Sequence, residues 1–136
     1  MKKLTLIICT LCVICSNSVF GLSNVLVGRP IIYVADEWNP AANVNDDDAS
    51  TSWANNGFPA IIEFDLEQSY SLSALEMVPY QGRDYQFILE AKENLGDAYA
   101  MALDASGNTN GGSLISKTFP EVTGRYVRLT VTGAAT

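Results

Sequence analysis

The sequence predicts an all-β fold, an antiparallel two-sheet β-sandwich, from three observations. Apolar and polar residues alternate over residues 61–66, 85–91 and 126–131, the two-residue period of strands with one buried face. Clusters of Gly, Asn and Asp separate these segments at the spacing typical of a sandwich. No 12-residue window carries sustained helical periodicity, so helices are not expected to form a layer of the fold.

Each of the three alternating segments places one face in the core. The residues predicted to face the core are Ile62, Phe64 and Leu66, then Tyr85, Phe87, Leu89 and Ala91, and finally Val127, Leu129 and Val131. Weaker strand patterns occupy residues 72–78, 99–103 and 114–119. One helical turn is expected at residues 40–43, with Asn39 as its cap.

The N-terminal segment is predicted to be an export signal. Two lysines precede an apolar run at residues 4–14, and a small residue, Gly21, follows at a distance suited to cleavage. This run is too short to span a bilayer comfortably. The prediction is a signal peptide over residues 1–21 and one domain over residues 22–136, secreted to the extracellular space or the periplasm. A retained membrane anchor and a lipid attached at Cys15 are the alternatives.

The composition excludes several classes of protein. All three cysteines lie in the predicted signal peptide and the sequence has no histidine, which excludes disulfides, thiolate catalysis and the commonest zinc ligand from the domain. The net charge of −7 repels the phosphate backbone, so no nucleic-acid partner is expected. No catalytic pairing of carboxylates is visible in the sequence, and we therefore predict that the protein is not an enzyme.

The densest chemistry lies in an acidic stretch at residues 39–53. Three consecutive aspartates, Asp46 to Asp48, repel one another unless they are solvated or neutralised by a cation. The surrounding Asn, Ser and Thr residues supply the oxygen ligands that calcium prefers, although the spacing is not that of an EF-hand. From the residues alone, a solvated acidic turn and a calcium loop both stay open.

The same stretch resembles a known family. Residues 39–66, NPAANVNDDDASTSWANNGFPAIIEFDL, are similar to the opening of the discoidin or coagulation-factor type C domain, which includes the bacterial family 32 carbohydrate-binding modules. Residues 85–89 resemble the central strand of that family, and residues 124–129, GRYVRL, resemble its C-terminal signature. The three motifs stand in the family's order across most of residues 24–133.

The resemblance implies a jelly-roll-like, galactose-binding-domain-like sandwich with a structural calcium ion. The implied calcium ligands are the Asn43 carbonyl, the Asp46 carboxylate, Asp48, and the carbonyl and hydroxyl of Thr51. Asp47 stands where the family usually has glycine, and Asp tolerates the backbone angles of such a turn. The family's last strand has no counterpart at the C-terminal end, so we expect either a truncated product or another segment in its place, and we also expect an exposed sheet edge.

Loops at one end of the predicted sandwich carry side chains of the types that bind sugars in proteins. Aromatic faces pack on the apolar face of a sugar ring, and planar polar groups bond its hydroxyls. The candidate ligand-binding residues are Glu37, Trp38, Asn55, Asn56, Phe58, Tyr80 and Arg83, whereas Trp53 is expected in the core. The Arg83 guanidinium suits a uronic acid, but the net negative charge disfavours polyanions, and neutral sugars are equally compatible.

Together these features predict a secreted, non-catalytic carbohydrate-binding module that recognises a poly- or oligosaccharide and holds a structural calcium ion. The alternative is a cell-surface adhesion module that binds a protein partner. Membrane lipid is disfavoured as a partner, because the aromatic loop tips stand beside acidic residues rather than basic ones.

Overall fold

The structure is a computed structural model that describes residues 6–18 and 21–135, with side chains described for residues 24–134. Within these residues the chain forms eight β-strands and two short 3₁₀ turns. The strands are β1 (Leu6–Ser18), β2 (Gly21–Asn24), β3 (Ile31–Val34), β4 (Trp53–Asn55), β5 (Ala60–Pro79), β6 (Asp84–Lys92), β7 (Ala100–Ala105) and β8 (Ile115–Ala135), and the 3₁₀ turns are Ala41–Val44 and Tyr80–Gly82.

The long strands β5 and β8 connect the two layers of the sandwich. They pair antiparallel along most of their length, but the register shifts between Asp65 and Tyr70, where Glu67 has a φ of 70°. The first part of β5 pairs with β3 on its other side, and the second part pairs with β1. β6 pairs with the C-terminal part of β8, and β7 extends the sheet from β6. The predicted all-β, antiparallel fold class is confirmed.

The core lies where the alternating segments predict it. Every residue predicted to face inward in the three strong segments is buried. Trp53 is fully buried, as expected, and its indole Nε1 donates a hydrogen bond of 3.1 Å to the Asp36 carbonyl oxygen. A two-residue period therefore identified the buried face of β5, β6 and β8 directly, since successive strand side chains point to opposite faces.

The strand boundaries differ from the prediction at two places. Residues 61–66 and 72–78 belong to one strand, β5, and residues 114–119 and 126–131 fall within β8 apart from the residue before Ile115. Polar residues in the middle of each long strand look like a turn in the sequence. In the structure they lie at the register shift, where the chain bends and continues in extended conformation.

The predicted helical turn is present, but its predicted cap is wrong. Pro40, not Asn39, occupies the N-cap position of the Ala41–Val44 turn. The Ala41 N–H donates a hydrogen bond of 2.7 Å to Glu37 Oε2, while the Asn39 amide donates to Ser52 Oγ at 3.1 Å. The Glu37 carboxylate, four residues before Ala41, thus accepts the backbone N–H that a capping side chain would otherwise accept.

The N-terminal segment takes a place in the sheet. β1 pairs antiparallel with β5 from Ile8 opposite Pro79 to Cys15 opposite Leu72, so a segment fills this edge of β5 in the described chain. β1 also pairs with β2 and β4. The signal peptide and cleavage after Gly21 stay predictions. No helix among the described residues is long and apolar enough to cross a membrane.

Candidate functional site

An open cavity lies beside the loop that follows β3. Its volume is about 220 Å³, and it is lined by Asp36, Glu37, Trp38 and Asn56; we call it the Trp38 cavity. The Trp38 side chain is 71% exposed, although large aromatic side chains are mostly buried in globular domains. An exposed indole at the wall of a cavity is available to contact a ligand.

Hydrogen bonds to β4 hold the Trp38 cavity in shape. The Trp38 N–H donates to the Ala54 carbonyl oxygen at 2.8 Å, and the Asn56 N–H donates to Asp36 Oδ2 at 3.2 Å. The buried Trp53 indole donates to the Asp36 carbonyl oxygen. The loop is therefore attached at Asp36 and at Trp38 to β4 and the residue after it, which lowers the ordering cost of binding.

Glu37 also lines a second, larger cavity. The second cavity has a volume of about 370 Å³ and is lined by β3, Glu37, Ala41 and Ala42; we call it the Tyr33 cavity. Tyr33 and Ile32 on its β3 side are 50% and 45% exposed. Because Glu37 Oε2 accepts the Ala41 N–H, the carboxylate is held in place between the two cavities.

The Trp38 cavity is negatively charged. Asp36 and Glu37 contribute carboxylates, Asn56 contributes an amide, and no described residue lining the cavity carries a positive charge. Carboxylates accept hydrogen bonds from hydroxyl or ammonium groups, and the indole face can pack on an apolar ring face. This arrangement suits a neutral or cationic polyhydroxylated ligand better than an anionic one.

Two of the predicted ligand-binding residues lie elsewhere: Asn55 is the last residue of β4, and Phe58 lies in the turn between β4 and β5. Asn55 is buried, and its amide donates to the Gly57 carbonyl oxygen at 2.9 Å; its Oδ1 has no hydrogen-bond partner among the described residues. The Phe58 ring packs against the core, with its centroid 6.5 Å from that of Tyr85. Neither side chain lines the Trp38 cavity.

Tyr80 and Arg83 form a separate pair on the turn after β5. The Arg83 guanidinium lies over the Tyr80 ring, 5.3 Å from its centroid. β1 lies between this turn and β4, since Ile8 is the register partner of both Trp53 and Pro79. Two strand spacings, about 10 Å, therefore separate β4 from the end of β5. Tyr80 and Arg83 do not line the Trp38 cavity, and their contact with a ligand stays a prediction.

The structure brings together all four residues predicted to hold calcium. Thr51 Oγ1 lies 3.2 Å from the Asn43 carbonyl oxygen, 2.7 Å from Asp46 Oδ2 and 3.0 Å from the Asp48 carbonyl oxygen. The Thr51 N–H also donates to the Asp48 carbonyl oxygen at 3.2 Å, and the hydroxyl has one proton, so Thr51 offers two protons to three acceptors. The acidic loop, residues 43–51, thus contains a convergence of oxygens with too few donors, which is the chemistry that a calcium ion favours.

Asp48 contacts the Thr51 hydroxyl through its carbonyl oxygen, while its carboxylate accepts hydrogen bonds from Ser50. Asp48 Oδ1 accepts the side-chain hydroxyl of Ser50 at 2.6 Å and its N–H at 2.8 Å, and these hydrogen bonds lower the pKa of Asp48. Asp47 has a φ of 64°, the left-handed conformation expected where the family has glycine. No group of three or more acidic, cysteine or histidine side chains that could hold a metal occurs in the described part of the chain. A cation here would depend on one carboxylate, Asp46, together with carbonyl and hydroxyl oxygens.

Sequence reasoning missed Asp36 and Tyr33. Asp36 is adjacent to Glu37 in the same polar loop, and that proximity was the available signal. Tyr33 lies in the apolar run Ile31–Val34, which has the pattern of a buried strand. In the structure Tyr33 is 50% exposed, and no local pattern encodes which face of β3 other segments cover.

Comparisons with known proteins agree with this architecture. The model of the F5/8 type C domain family matches residues 30–136. The structure is similar to CpGH89CBM32-4 of Clostridium perfringens in complex with GlcNAc-α-1,4-galactose, with a TM-score of 0.67 and 23% identity over 84% of this chain and 81% of that chain. It is also similar to chitosan-binding module 1 from a chitosanase/glucanase of Paenibacillus sp. IK-5, with a TM-score of 0.71 and 17% identity over 84% and 89%.

A third similar structure is the CBM32 of AlyQ in complex with 4,5-unsaturated mannuronic acid. Its TM-score is 0.57 and its identity 25%, over 79% of this chain and 87% of that chain. The comparison with curated proteins found no match. At these identities the structural similarities establish the fold, and the ligands belong to the proteins in which they were found.

Proposed function

Since the chain belongs to the F5/8 type C domain family, we propose that it is an exported, non-catalytic carbohydrate-binding module whose ligand site is the Trp38 cavity. The observation that carries this proposal is the exposed Trp38 indole, held by β4 beside two carboxylates and an amide. An aromatic platform with hydrogen-bonding groups at its border is what recognition of a sugar ring requires.

Three similar structures support a sugar as the ligand. CpGH89CBM32-4 is in complex with GlcNAc-α-1,4-galactose, the Paenibacillus module binds chitosan, and the CBM32 of AlyQ is in complex with an unsaturated mannuronic acid. All three are named as binding modules, which supports a non-catalytic role. Domains of this kind are typically extracellular, in agreement with the predicted export.

The charge of the Trp38 cavity favours a neutral or amino sugar over a uronic acid. A uronate would place its carboxylate near Asp36 and Glu37, and like charges at close range cost free energy of binding. The cationic side chain proposed to suit a uronate, Arg83, does not line this cavity. A glucosamine unit would instead offer an ammonium group to the two carboxylates.

A structural calcium ion in the acidic loop is the second part of the proposal. Asp46 would supply the carboxylate, and the Asn43 carbonyl, the Asp48 carbonyl and Thr51 would supply the other protein oxygens. The excess of acceptors over donors supports this assignment. Bound calcium would neutralise the loop and tie it to the end of the Ala41–Val44 turn.

A glycan and polysaccharide binding screen tests the proposed function. The protein is screened with calcium and with chelator, beside Trp38→Ala and a matched control, Leu95→Ala, whose side chain is 65% exposed in the loop after β6. We expect sugar binding by the parent and by the control, and loss of binding in Trp38→Ala. Equal binding by Trp38→Ala, or no binding by a folded parent protein, would reject the proposal.

A further inference from the structure

We propose, on the basis of the function proposed above, that the site binds an oligosaccharide across two adjoining subsites rather than a single sugar unit. The Trp38 cavity and the Tyr33 cavity both have Glu37 in their lining, and we call the two cavities together the binding groove. The first unit would contact Trp38, and the next would contact Tyr33.

The second half of the groove has the features of a sugar subsite. The Tyr33 cavity is larger than the Trp38 cavity, and two small residues of the 3₁₀ turn, Ala41 and Ala42, form one of its walls. Tyr33 offers a half-exposed ring with a hydroxyl, and Ile32 adds exposed apolar surface. A ring with a polar tip in an open cavity can pack on one face of a sugar and bond its hydroxyls.

Glu37 is placed to contact both units. Its Oε2 is fixed by the Ala41 N–H at 2.7 Å, so the carboxylate does not need to be ordered when a ligand arrives. It lies between an aromatic residue on each side, Trp38 in one cavity and Tyr33 in the other. A carboxylate has acceptor capacity on both oxygens and can bond hydroxyls of neighbouring units.

The position of β3 explains why this surface is open. Among the described residues β3 pairs only with β5, so its outer edge presents backbone groups to solvent. Such an edge could also receive a strand from another protein. β3 has only four residues, Ile31–Val34, which limits the ladder that a protein strand could form. The Tyr33 cavity also shares Glu37 with the Trp38 cavity, and this link to the proposed sugar site favours a sugar chain as the occupant.

A length series of sugars tests the inference. Isothermal titration would compare glucosamine with its β-1,4-linked dimer and trimer, together with the N-acetylated series, using the parent protein, Tyr33→Ala, Trp38→Ala and the control Leu95→Ala. We expect affinity to rise about tenfold from monomer to trimer in the parent and the control. Tyr33→Ala should abolish this rise, whereas Trp38→Ala should lose binding at every length.

The titrations distinguish failure of the two-subsite groove from failure of the proposed sugar site. Equal affinity for monomer and trimer in the parent, or an undiminished rise in a Tyr33→Ala variant with unchanged melting temperature, would overturn the two-subsite groove and leave the proposed function standing. No binding at any length, acetylated or not, would overturn the proposed sugar site itself. Self-association of the parent that Tyr33→Ala abolishes would place a second copy of the chain on β3 and overturn the inference.

Discussion

The acidic loop and the binding groove lie a few residues apart in the chain and use their carboxylates in opposite ways. In the acidic loop, the oxygens of Asn43, Asp46 and Asp48 converge on the Thr51 hydroxyl. In the groove, Asp36 and Glu37 are anchored by backbone N–H groups and line an open cavity beside an exposed indole. Oxygens that converge on one another with too few protons suit a cation, whereas anchored carboxylates beside an aromatic face suit an organic ligand.

Because of this difference, we expect the groove to control sugar binding and the acidic loop to control stability. A change at Trp38 or Tyr33 should alter binding and leave the fold unchanged, because both residues are exposed. A change in the acidic loop should alter stability in calcium and have little effect on sugar affinity. Four experiments, ordered from the largest expected effect to the smallest, test this separation.

Replacing Trp38 by Ala should have the largest effect. We expect a loss of sugar affinity of about tenfold or more, since aromatic residues at the centre of a site commonly account for more than ~1 kcal/mol each. The melting temperature should not change, because the side chain is 71% exposed. Titration with the sugar found in the screen, together with a thermal melt, checks both expectations. A large fall in melting temperature would show that the indole supports the fold instead.

Removing the Asp46 carboxylate should come next. In calcium, Asp46→Ala is expected to lower the free energy of unfolding by about 1–3 kcal/mol, the linkage contribution of an ion well above its Kd. In chelator, the variant and the parent should melt at similar temperatures.

Asp104→Ala is the matched control for Asp46→Ala. Asp104 is an exposed aspartate outside the acidic loop. Its carboxylate accepts hydrogen bonds from the N–H and the hydroxyl of Ser106, as the Asp48 carboxylate does from the N–H and the hydroxyl of Ser50. Its effect on stability should be the same with and without calcium. Equal melting of Asp46→Ala and the parent in both buffers would exclude calcium from the acidic loop.

Calcium removal itself should distinguish the two regions within the parent protein. Chelator should lower the melting temperature and change sugar affinity by less than about twofold at a temperature where the domain stays folded. Titrations with and without calcium measure this. A parallel loss of affinity and stability would show that the acidic loop positions the groove, through the Ala41–Val44 turn that joins them.

Acidification should have the smallest effect. The hydrogen bonds from Ser50 lower the pKa of the Asp48 carboxyl, so its stabilising contribution is complete above the ordinary aspartate value of about 4 and is lost as pH falls through the lower folded value. The Ser50 amide resonance should therefore titrate below that ordinary value, as should the Ser106 amide beside Asp104. Titration of the Ser50 resonance at or above pH 4 would contradict the Ser50–Asp48 contact.

Much of the fold could be predicted because strand periodicity is local. Alternation placed Ile62, Phe64 and Leu66 in the core without knowledge of their partners, and all three are buried. The continuity of β5 through Glu67 could not be predicted, because its polar middle has the composition of a turn. The pairing of β1 with β5 joins residues more than fifty positions apart, and no local signal indicates such a partner.

The candidate site was predicted in part. Glu37, Trp38 and Asn56 line the Trp38 cavity, as the chemistry of the loop suggested. Asn55 is adjacent to Asn56 and identical to it in type, yet it is buried because it ends β4, while Asn56 begins the exposed turn. Phe58 lies in the same turn as Asn56, but its ring packs against the core.

By itself, the sequence determined the strand faces, the acidic loop and the family, because each depends on residue types at fixed short spacings. Tertiary structure alone decided which polar and aromatic side chains share a cavity. The Trp38 loop is held by long-range hydrogen bonds to β4, and the Tyr33 surface is open because β3 lies at a sheet edge. Sheet order and loop contacts depend on the packing of distant segments, so the same apolar strand pattern can be buried in one sheet position and exposed in another.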